Sequence, residues 1–155
     1  MVFIIYKITI YSAFRKKEGR YLKLIFREEF MKKIISTSKA PAAIGPYSQA
    51  IEYNGVLYCS GQIPLDPKTM EIVGNNASEQ AKQVMKNLSA VLEEAGSDFS
   101  KVIKCSIFLD DMGDFGDVNE VYGSFFQNEP PARETVAVQT LPKSVLVEIS
   151  CIAFI

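Results

Sequence analysis

The 155-residue sequence contains no histidine, and this absence excludes several kinds of active site. Catalysis by Ser-His-Asp or Cys-His groups needs an imidazole, and the common zinc ligand sets use one as well. Acid–base chemistry near neutral pH must therefore come from a carboxylate, a tyrosine, a lysine, a backbone group or water.

Cysteine is also scarce, and Cys59, Cys105 and Cys151 are the three examples. An odd number without a C-x-x-C pair gives no disulfide framework. Each cysteine lies in or beside a run of β-forming residues, so we predict that all three are small buried hydrophobes in strands. This usage predicts a reducing, cytoplasmic location.

Long apolar runs and basic stripes are missing too. No run approaches the roughly 18–20 apolar residues that cross a membrane, so we expect no membrane span. Residues 31–155 contain ten lysines and arginines against fifteen aspartates and glutamates, a net charge of −5. A nucleic-acid surface needs a basic stripe, and we therefore expect no nucleic-acid partner.

Residues 1–30 differ from the rest, with seven basic and three acidic side chains and no clear period. The segment Arg27-Glu28-Glu29-Phe30-Met31 can be encoded as AGG-GAG-GAA-TTT-ATG, which resembles a bacterial ribosome-binding site followed by a start codon. We therefore expect 1–30 to be a translated leader outside the fold, and 31–155 to be the functional domain. A basic targeting peptide is the alternative, and other codons in the genomic DNA would remove the support for a leader.

The hydrophobic pattern of residues 31–155 predicts the order β-β-β-α-β-α-β-β. Strands are predicted at 33–36, 49–53, 56–60, 102–109, 135–138 and 145–154. An Asn-Gly pair at 54–55 is typical of a hairpin turn, and Asn76 with Glu79 forms a capping box for the first helix. Asp114 is the predicted cap of a second helix that reaches about Phe126. One mixed sheet with both helices on one face is the economical α+β arrangement.

The last predicted strand, 145–154, is apolar on both faces. Two helices on one side of the sheet cover one set of these side chains. The other set needs a partner, and the chain has no spare element to supply it. We therefore predict a homo-oligomer whose sheets pack together, which a polar open face would contradict.

Arg133 is the first candidate site residue, because no other arginine follows Arg27. It comes directly after Pro130-Pro131-Ala132, at the entry to a strand. Arginine presents a planar fork that grips a carboxylate or phosphate with two parallel hydrogen bonds. The position indicates an anion clamp, and a surface ion pair is the alternative.

Glu148 is the second candidate, since it is a carboxylate inside an otherwise apolar strand. Unpaired burial of a charge is costly, so Glu148 needs a partner, a water or a proton. It is either a general acid/base with a raised pKa or a residue that is ion-paired to a lysine or exposed at a strand end. Two further segments, Tyr47-Ser48 after Gly45-Pro46 and Ser60-Gly61-Gln62 at a strand end, are weaker candidates for a pocket and an anion-binding backbone.

Several motifs together resemble one family, the reactive intermediate deaminases (RidA, YjgF-type proteins). They are AAIGPYSQA at 42–50, SGQIP at 60–64, DVNEVY at 117–122, PAR at 131–133, and VEI at 147–149 followed by Ile152-Ala153. The resemblance covers essentially all of residues 31–155, in order and at similar spacing, and it is specific as a family assignment.

The resemblance implies a chorismate-mutase-like fold and a homotrimer with three sites in the clefts between subunits. It implies hydrolysis of 2-imino acids, such as 2-iminopropanoate and 2-iminobutanoate, to 2-keto acids and ammonia, without cofactor or metal. By position in the motifs, Arg133 would hold the substrate carboxylate and Glu148 would orient or activate water. Tyr47 and Ser60 would line the pocket, and the Gly61 amide would help to polarise the substrate.

Three further positions carry information from the same resemblance. Asn119 and Thr135 match substrate-binding positions, although many members of the family have cysteine where Thr135 stands. Glu134 stands where the family often has serine or threonine. We expect its negative charge to weaken binding of an anionic substrate.

Two other functions compete with the deaminase. The first is a non-catalytic regulatory trimer in which Arg133 binds a small carboxylate, and Glu148 is then dispensable. The second is RNA cleavage or translational inhibition, which the acidic body and the missing histidine disfavour.

Overall fold

The computed structural model describes residues 31–126 and 128–155. The expected leader at 1–30 lies outside the described residues and stays a prediction. Residues 32–155 form one compact unit. No helix in the described part of the chain has the length and apolar character needed to cross a membrane.

The described residues contain six strands and two α-helices in the predicted order, which is therefore confirmed. The elements are β1 (Lys33–Ile35), β2 (Ala50–Tyr53), β3 (Val56–Gln62), α1 (Ala77–Glu94), β4 (Val102–Leu109), α2 (Phe115–Ser124), β5 (Ala132–Ala137) and β6 (Val147–Phe154). Short 3-10 turns precede β4, α2 and β6.

The six strands form one mixed sheet in the order β1-β2-β3-β6-β4-β5. All neighbouring strands are antiparallel except β4 and β5, which are parallel. The C-terminal strand β6 therefore lies in the middle, between β3 and β4. This α+β architecture agrees with the prediction.

The first helix is set by its cap and its apolar stripe. The Asn76 side chain accepts a hydrogen bond from the Glu79 amide at 2.9 Å, and the Glu79 carboxylate accepts one from the Asn75 amide at 2.8 Å. The buried stripe consists of Ala81, Val84, Met85, Leu88, Val91, Leu92 and Ala95. Each large side chain buried in this way contributes about 1.5–3 kcal/mol. Gly96 ends the stripe with a φ of +78°, a conformation that glycine adopts without strain.

Three predicted boundaries were wrong. Asp114 makes no capping hydrogen bond; instead the Asp111 carboxylate accepts from the Gly113 amide at 2.7 Å and caps a 3-10 turn that runs into α2. The strand β5 begins at Ala132 rather than 135, because its parallel pairing with β4 extends back to Lys104. The strand β6 begins two residues later than predicted, because Val145 is the C-cap of the 3-10 turn at Pro142–Ser144 and its amide donates to the Pro142 carbonyl.

The two faces of the sheet differ in burial. Leu57, Ile107 and Ile149 lie against the helices and are at most 1% exposed. On the open face, Tyr58 and Phe154 are 48% and 47% exposed. β6 presents Glu148, Ser150, Ile152 and Phe154 to this side, so the open face is apolar in part rather than throughout.

Candidate functional site

A β-bulge shapes the end of β3 where the first candidate residues lie. Cys59 pairs with Cys151 and Gln62 with Ile149, so β3 has one residue more than β6 between the two pairs. Such an extra residue bends a strand and redirects its side chains, and bulges are frequent beside active sites. Ser60 and Gly61 form this bulge and face the start of β6.

Glu148 lies directly over Gly61. A Cβ added to Gly61 would come within 1.9 Å of Glu148 Oε1 and 2.7 Å of its Cδ, so only glycine leaves room for the carboxylate. Glu148 is half-buried, and burial raises its pKa above the usual range of a carboxyl. No lysine or arginine among the described residues pairs with it. Glu148 is therefore not ion-paired to a lysine within the described part of one chain.

A cavity of about 280 Å³ opens beside this carboxylate, and we call it the Glu148 cavity. Its lining residues are Ile44, Tyr47, Ser60, Gly61, Ile63, Pro142 and Glu148. Four of the predicted site residues thus meet in one chain, in a wall that is otherwise apolar. Such a cavity accommodates a small molecule with a short aliphatic part and presents one ionisable group to it.

The buried side chain of Gln49 holds the loop that carries Tyr47. Its Oε1 accepts from the Thr37 amide at 2.6 Å, and its Nε2 donates to the carbonyls of Pro41 at 2.8 Å and Ala40 at 3.3 Å. The Ser60 hydroxyl donates to the Ser48 carbonyl at 2.7 Å, which ties the bulge to the same loop. The sequence reasoning missed Gln49, although the residue lies inside the quoted motif at 42–50.

Arg133 lies on β5 with its side chain on the helix-covered face. Its Nη1 donates to Asn119 Oδ1 at 2.7 Å. The guanidinium carbon is 5.0 Å from the ring centre of Tyr122 and 5.6 Å from that of Phe115. We call Phe115, Asn119 and Tyr122 the Arg133 cradle.

No carboxylate in the described part of the chain pairs with Arg133, so the surface ion-pair interpretation is wrong. Neither Phe115 nor Tyr122 was among the predicted site residues. Their helical spacing with Asn119 was the signal that was available.

Arg133 and Glu148 do not meet within one chain. Arg133 pairs with Cys105 and Cys105 with Cys151, whereas Glu148 pairs with Phe108. Two strand spacings and three residues therefore separate them, roughly 10 Å across the sheet and 10 Å along it. The odd offset also places their side chains on opposite faces. One substrate cannot contact both residues of the same chain.

The neighbours of Arg133 behave differently from expectation. Glu134 faces the open side, accepts a hydrogen bond from the Ser106 hydroxyl and pairs with Lys104 Nζ at 3.0 Å. The hydrogen bond from Ser106, followed by that from Lys104, lowers the pKa of Glu134. The Glu134 carboxylate is thus paired with Lys104 and directed away from Arg133. Within one chain it is therefore not placed to weaken the binding of an anion at Arg133, contrary to expectation. The Thr135 hydroxyl oxygen is buried and has no hydrogen-bond partner among the described residues.

The three cysteines form a row across β3, β6 and β4, in the order Cys59, Cys151, Cys105. All three are free and buried, as predicted. Burial raises the pKa of the Cys105 thiol, and the contact with Cys59 together with burial raises that of Cys151. The described residues contain no group of three or more cysteine, aspartate or glutamate side chains placed to hold a metal ion.

Comparison with known proteins adds three kinds of finding. The family model described as Endoribonuclease L-PSP matches residues 37–155. The mouse 2-iminobutanoate/2-iminopropanoate deaminase is 50% identical over 123 residues, which are 79% of this chain and 91% of the mouse protein. The putative regulator AldR of Lactococcus lactis is 56% identical over 121 residues, or 78% of this chain and 96% of that protein. A crystal structure of the Rid-family protein YyfA from Yersinia pestis, described as of unknown function, superposes with a TM-score of 0.79 at 48% identity, covering 81% of this chain and all of YyfA.

Proposed function

The chain belongs to the reactive intermediate deaminase (RidA, YjgF-type) family, and from this premise we propose that it hydrolyses 2-imino acids to 2-keto acids and ammonia. One observation carries the proposal. A half-buried carboxylate of raised pKa, Glu148, lies in a small apolar cavity, while Arg133, which pairs with no carboxylate among the described residues, lies on the other face of the sheet. These are the two groups that imine hydrolysis of an anionic substrate needs.

We propose further that the protein is a homotrimer in which Arg133 of one copy completes the Glu148 cavity of the next. Two features support this. The two residues are on opposite faces of one sheet, and the open face exposes apolar side chains such as Tyr58 and Phe154. Sedimentation should give one species of three times the chain mass, and a stable monomer would contradict the assembly.

The chemistry then divides between the two groups. Arg133 binds the substrate carboxylate through two parallel hydrogen bonds and so fixes the imine carbon. Water attacks that carbon while Glu148 accepts one of its protons and passes it to the imine nitrogen, so the C=N bond becomes a C–N single bond on a carbon that now carries a hydroxyl group. Glu148 next takes the hydroxyl proton and transfers it to the nitrogen, the C–N bond breaks with release of ammonia, and the carbon–oxygen bond becomes the C=O of the keto acid. Burial raises the pKa of Glu148 above its ordinary value, which makes the carboxylate a stronger base toward water.

The remaining residues of the cavity select and orient the substrate. Tyr47, Ser60 and Gly61 line it, and we expect the Gly61 amide to help polarise the substrate. The apolar wall of Ile44, Ile63 and Pro142 favours a short aliphatic side chain, as in 2-iminopropanoate and 2-iminobutanoate.

The experiment uses the purified protein and an imine made in place. An amino-acid oxidase generates 2-iminobutanoate, semicarbazide traps what remains, and the semicarbazone is followed with time. Wild type should suppress the trapped product, and Arg133→Ala should lose roughly a hundredfold or more of kcat/KM because two charge-assisted hydrogen bonds are lost. Lys82→Ala, which removes an exposed cation from α1, is the matched control. Failure of folded wild type to suppress the product would overturn the proposal.

A non-catalytic carboxylate-binding trimer is the second candidate, because the arrangement around Arg133 is complete without Glu148 and one relative is named as a regulator. Glu148→Gln separates the two, since a sensor keeps its function in this variant and an enzyme does not. A cytoplasmic location remains a proposal, supported by the three free cysteines.

A further inference from the structure

We propose that Asn119 is a positioning residue that holds one edge of the Arg133 guanidinium, keeps its charge uncompensated and leaves the other edge for the substrate carboxylate. The inference rests on the proposed function and replaces the substrate-binding role that the resemblance implied for Asn119. Asn119 is then not a substrate-binding residue but acts through Arg133.

The first step is the hydrogen-bond geometry. Arg133 makes one hydrogen bond within the described part of the chain, from Nη1 to Asn119 Oδ1 at 2.7 Å. Nη1 is the terminal nitrogen on the side of Cδ, so the opposite edge, formed by Nε and Nη2, remains unoccupied. A carboxylate accepts two parallel hydrogen bonds from such an edge. Asn119 therefore selects which edge of the guanidinium receives the ligand.

The second step concerns orientation. Phe115, Asn119 and Tyr122 are spaced four and three residues apart on α2, which places them on one face of the helix. Tyr122 is only 4% exposed and anchors that face in the core. The two rings contact the flat guanidinium while Asn119 fixes its rotation, so the free edge points in one direction before a ligand arrives. Preorganisation of this kind lowers the cost of binding.

The third step concerns charge. All three residues of the Arg133 cradle are neutral, and Glu134, the adjacent acid, pairs with Lys104 on the other face. An aspartate at position 119 has the same shape and would make a stronger hydrogen bond, yet it would cancel the charge that attracts an anion. The choice of amide over carboxylate at this position keeps Arg133 selective for a negatively charged ligand.

The test compares Asn119→Asp with Asn119→Ala. Binding of 2-ketobutyrate is measured by calorimetry, and KM and kcat for the imine are measured beside it. We expect Asn119→Asp to weaken binding and raise KM by at least about tenfold, and Asn119→Ala to do so by roughly threefold to tenfold, with smaller changes in kcat. Ser124→Asp adds the same charge to α2 without touching Arg133 and should bind like wild type.

The order of the two variants decides the outcome. If Asn119 only supports the fold, Asn119→Asp keeps the hydrogen bond and should match wild type, while Asn119→Ala should be the worse variant and should unfold at a lower temperature. That result would overturn the inference. Thermal unfolding of Asn119→Asp close to that of wild type, with weak binding, supports it.

Arg133→Ala separates this inference from the proposed function. If Arg133→Ala loses 2-ketobutyrate binding while both Asn119 variants keep it, Arg133 binds the carboxylate as proposed and only the role of Asn119 is contradicted. If Arg133→Ala binds 2-ketobutyrate as tightly as wild type, or if wild type does not bind it, carboxylate binding by Arg133 is contradicted and so is the role of Asn119.

Discussion

The Glu148 cavity and the Arg133 cradle are built by different means. The cavity depends on the backbone: a bulge, a glycine that leaves room for a carboxylate, and a buried amide that holds the adjoining loop. The cradle depends on three side chains of one helix. The cavity raises the pKa of its acid by burial, whereas the cradle leaves the Arg133 guanidinium exposed and without an ion-pair partner among the described residues. We expect proton transfer to depend on the desolvated carboxyl group of Glu148 and anion binding to depend on the accessible guanidinium of Arg133.

The largest expected effect removes the acid and leaves the cradle intact. Glu148→Gln should lower kcat by about 10²–10⁴-fold, the usual contribution of a general base, with 2-ketobutyrate affinity close to that of wild type. Semicarbazone competition measures the first quantity and calorimetry the second. If Glu148→Gln lowered kcat and 2-ketobutyrate affinity by the same factor, Glu148 would contribute to ligand binding as well as to proton transfer, which contradicts the separate roles of the cavity and the cradle.

The next largest effect is expected from a substitution that changes the shape of the Glu148 cavity. Gly61→Ala places a methyl group where the Glu148 carboxylate lies, so the carboxylate must move and kcat should fall by roughly tenfold to a hundredfold. The same assay measures it, and ligand affinity at Arg133 should change little.

Gly123→Ala is the matched control for that variant. Gly123 lies in α2, and beyond its chain neighbours and the helix backbone an added Cβ would meet no described atom within 4 Å, so the change should leave kcat alone and stabilise the helix by about 0.5–1 kcal/mol. A loss of activity in Gly61→Ala no greater than in Gly123→Ala would contradict the steric account.

The loop beside the cavity offers a smaller effect, on stability rather than chemistry. Gln49→Ala should lower the free energy of unfolding by about 1–3 kcal/mol, because the Thr37 amide and the carbonyls of Ala40 and Pro41 lose a buried partner. Urea unfolding measures this difference. Gln139→Ala, at an exposed position, is the control and should unfold like wild type.

The smallest expected effect is a pH dependence of stability. The folded pKa of Glu148 is raised above its ordinary value of 4.5, so the folded state binds the proton more tightly than the unfolded state. The contribution of Glu148 to stability is therefore present below pH 4.5 and is lost as the pH rises through the raised pKa. Unfolding of wild type and Glu148→Gln over this range should give curves that separate as the pH rises. Parallel curves would show that burial does not perturb the carboxyl.

Much of the fold could be predicted from the residues themselves. The capping box at Asn76 and the apolar stripe of α1 are local patterns, and the structure confirms both. Boundaries that depend on a partner strand were missed, as with β5, whose first residues pair with β4 although their own sequence is not β-like. The predicted last strand likewise began two residues too early, at Val145, which caps the turn at Pro142–Ser144.

Some features of the candidate site could be predicted from the sequence, and others depend on contacts that only the folded chain creates. Arg133 and Glu148 could be singled out because a lone arginine and a carboxylate in an apolar strand are visible in the sequence. The link from Asn119 to Arg133 could not be found, because it joins a helix to a strand that the folded chain brings together. The role of Gln49 as the anchor of a loop depends on carbonyls 8 and 9 residues away.

By itself, the sequence determined the order of the elements, the burial of the cysteines and the identity of the two charged candidates, because these depend on residue type and short-range periodicity. Only the tertiary structure decided that Arg133 and Glu148 lie on opposite faces and that Glu148 rests on Gly61. The physical reason is register. Side chains alternate between the faces of a sheet, so one added residue or one change of partner strand moves a group from one face to the other.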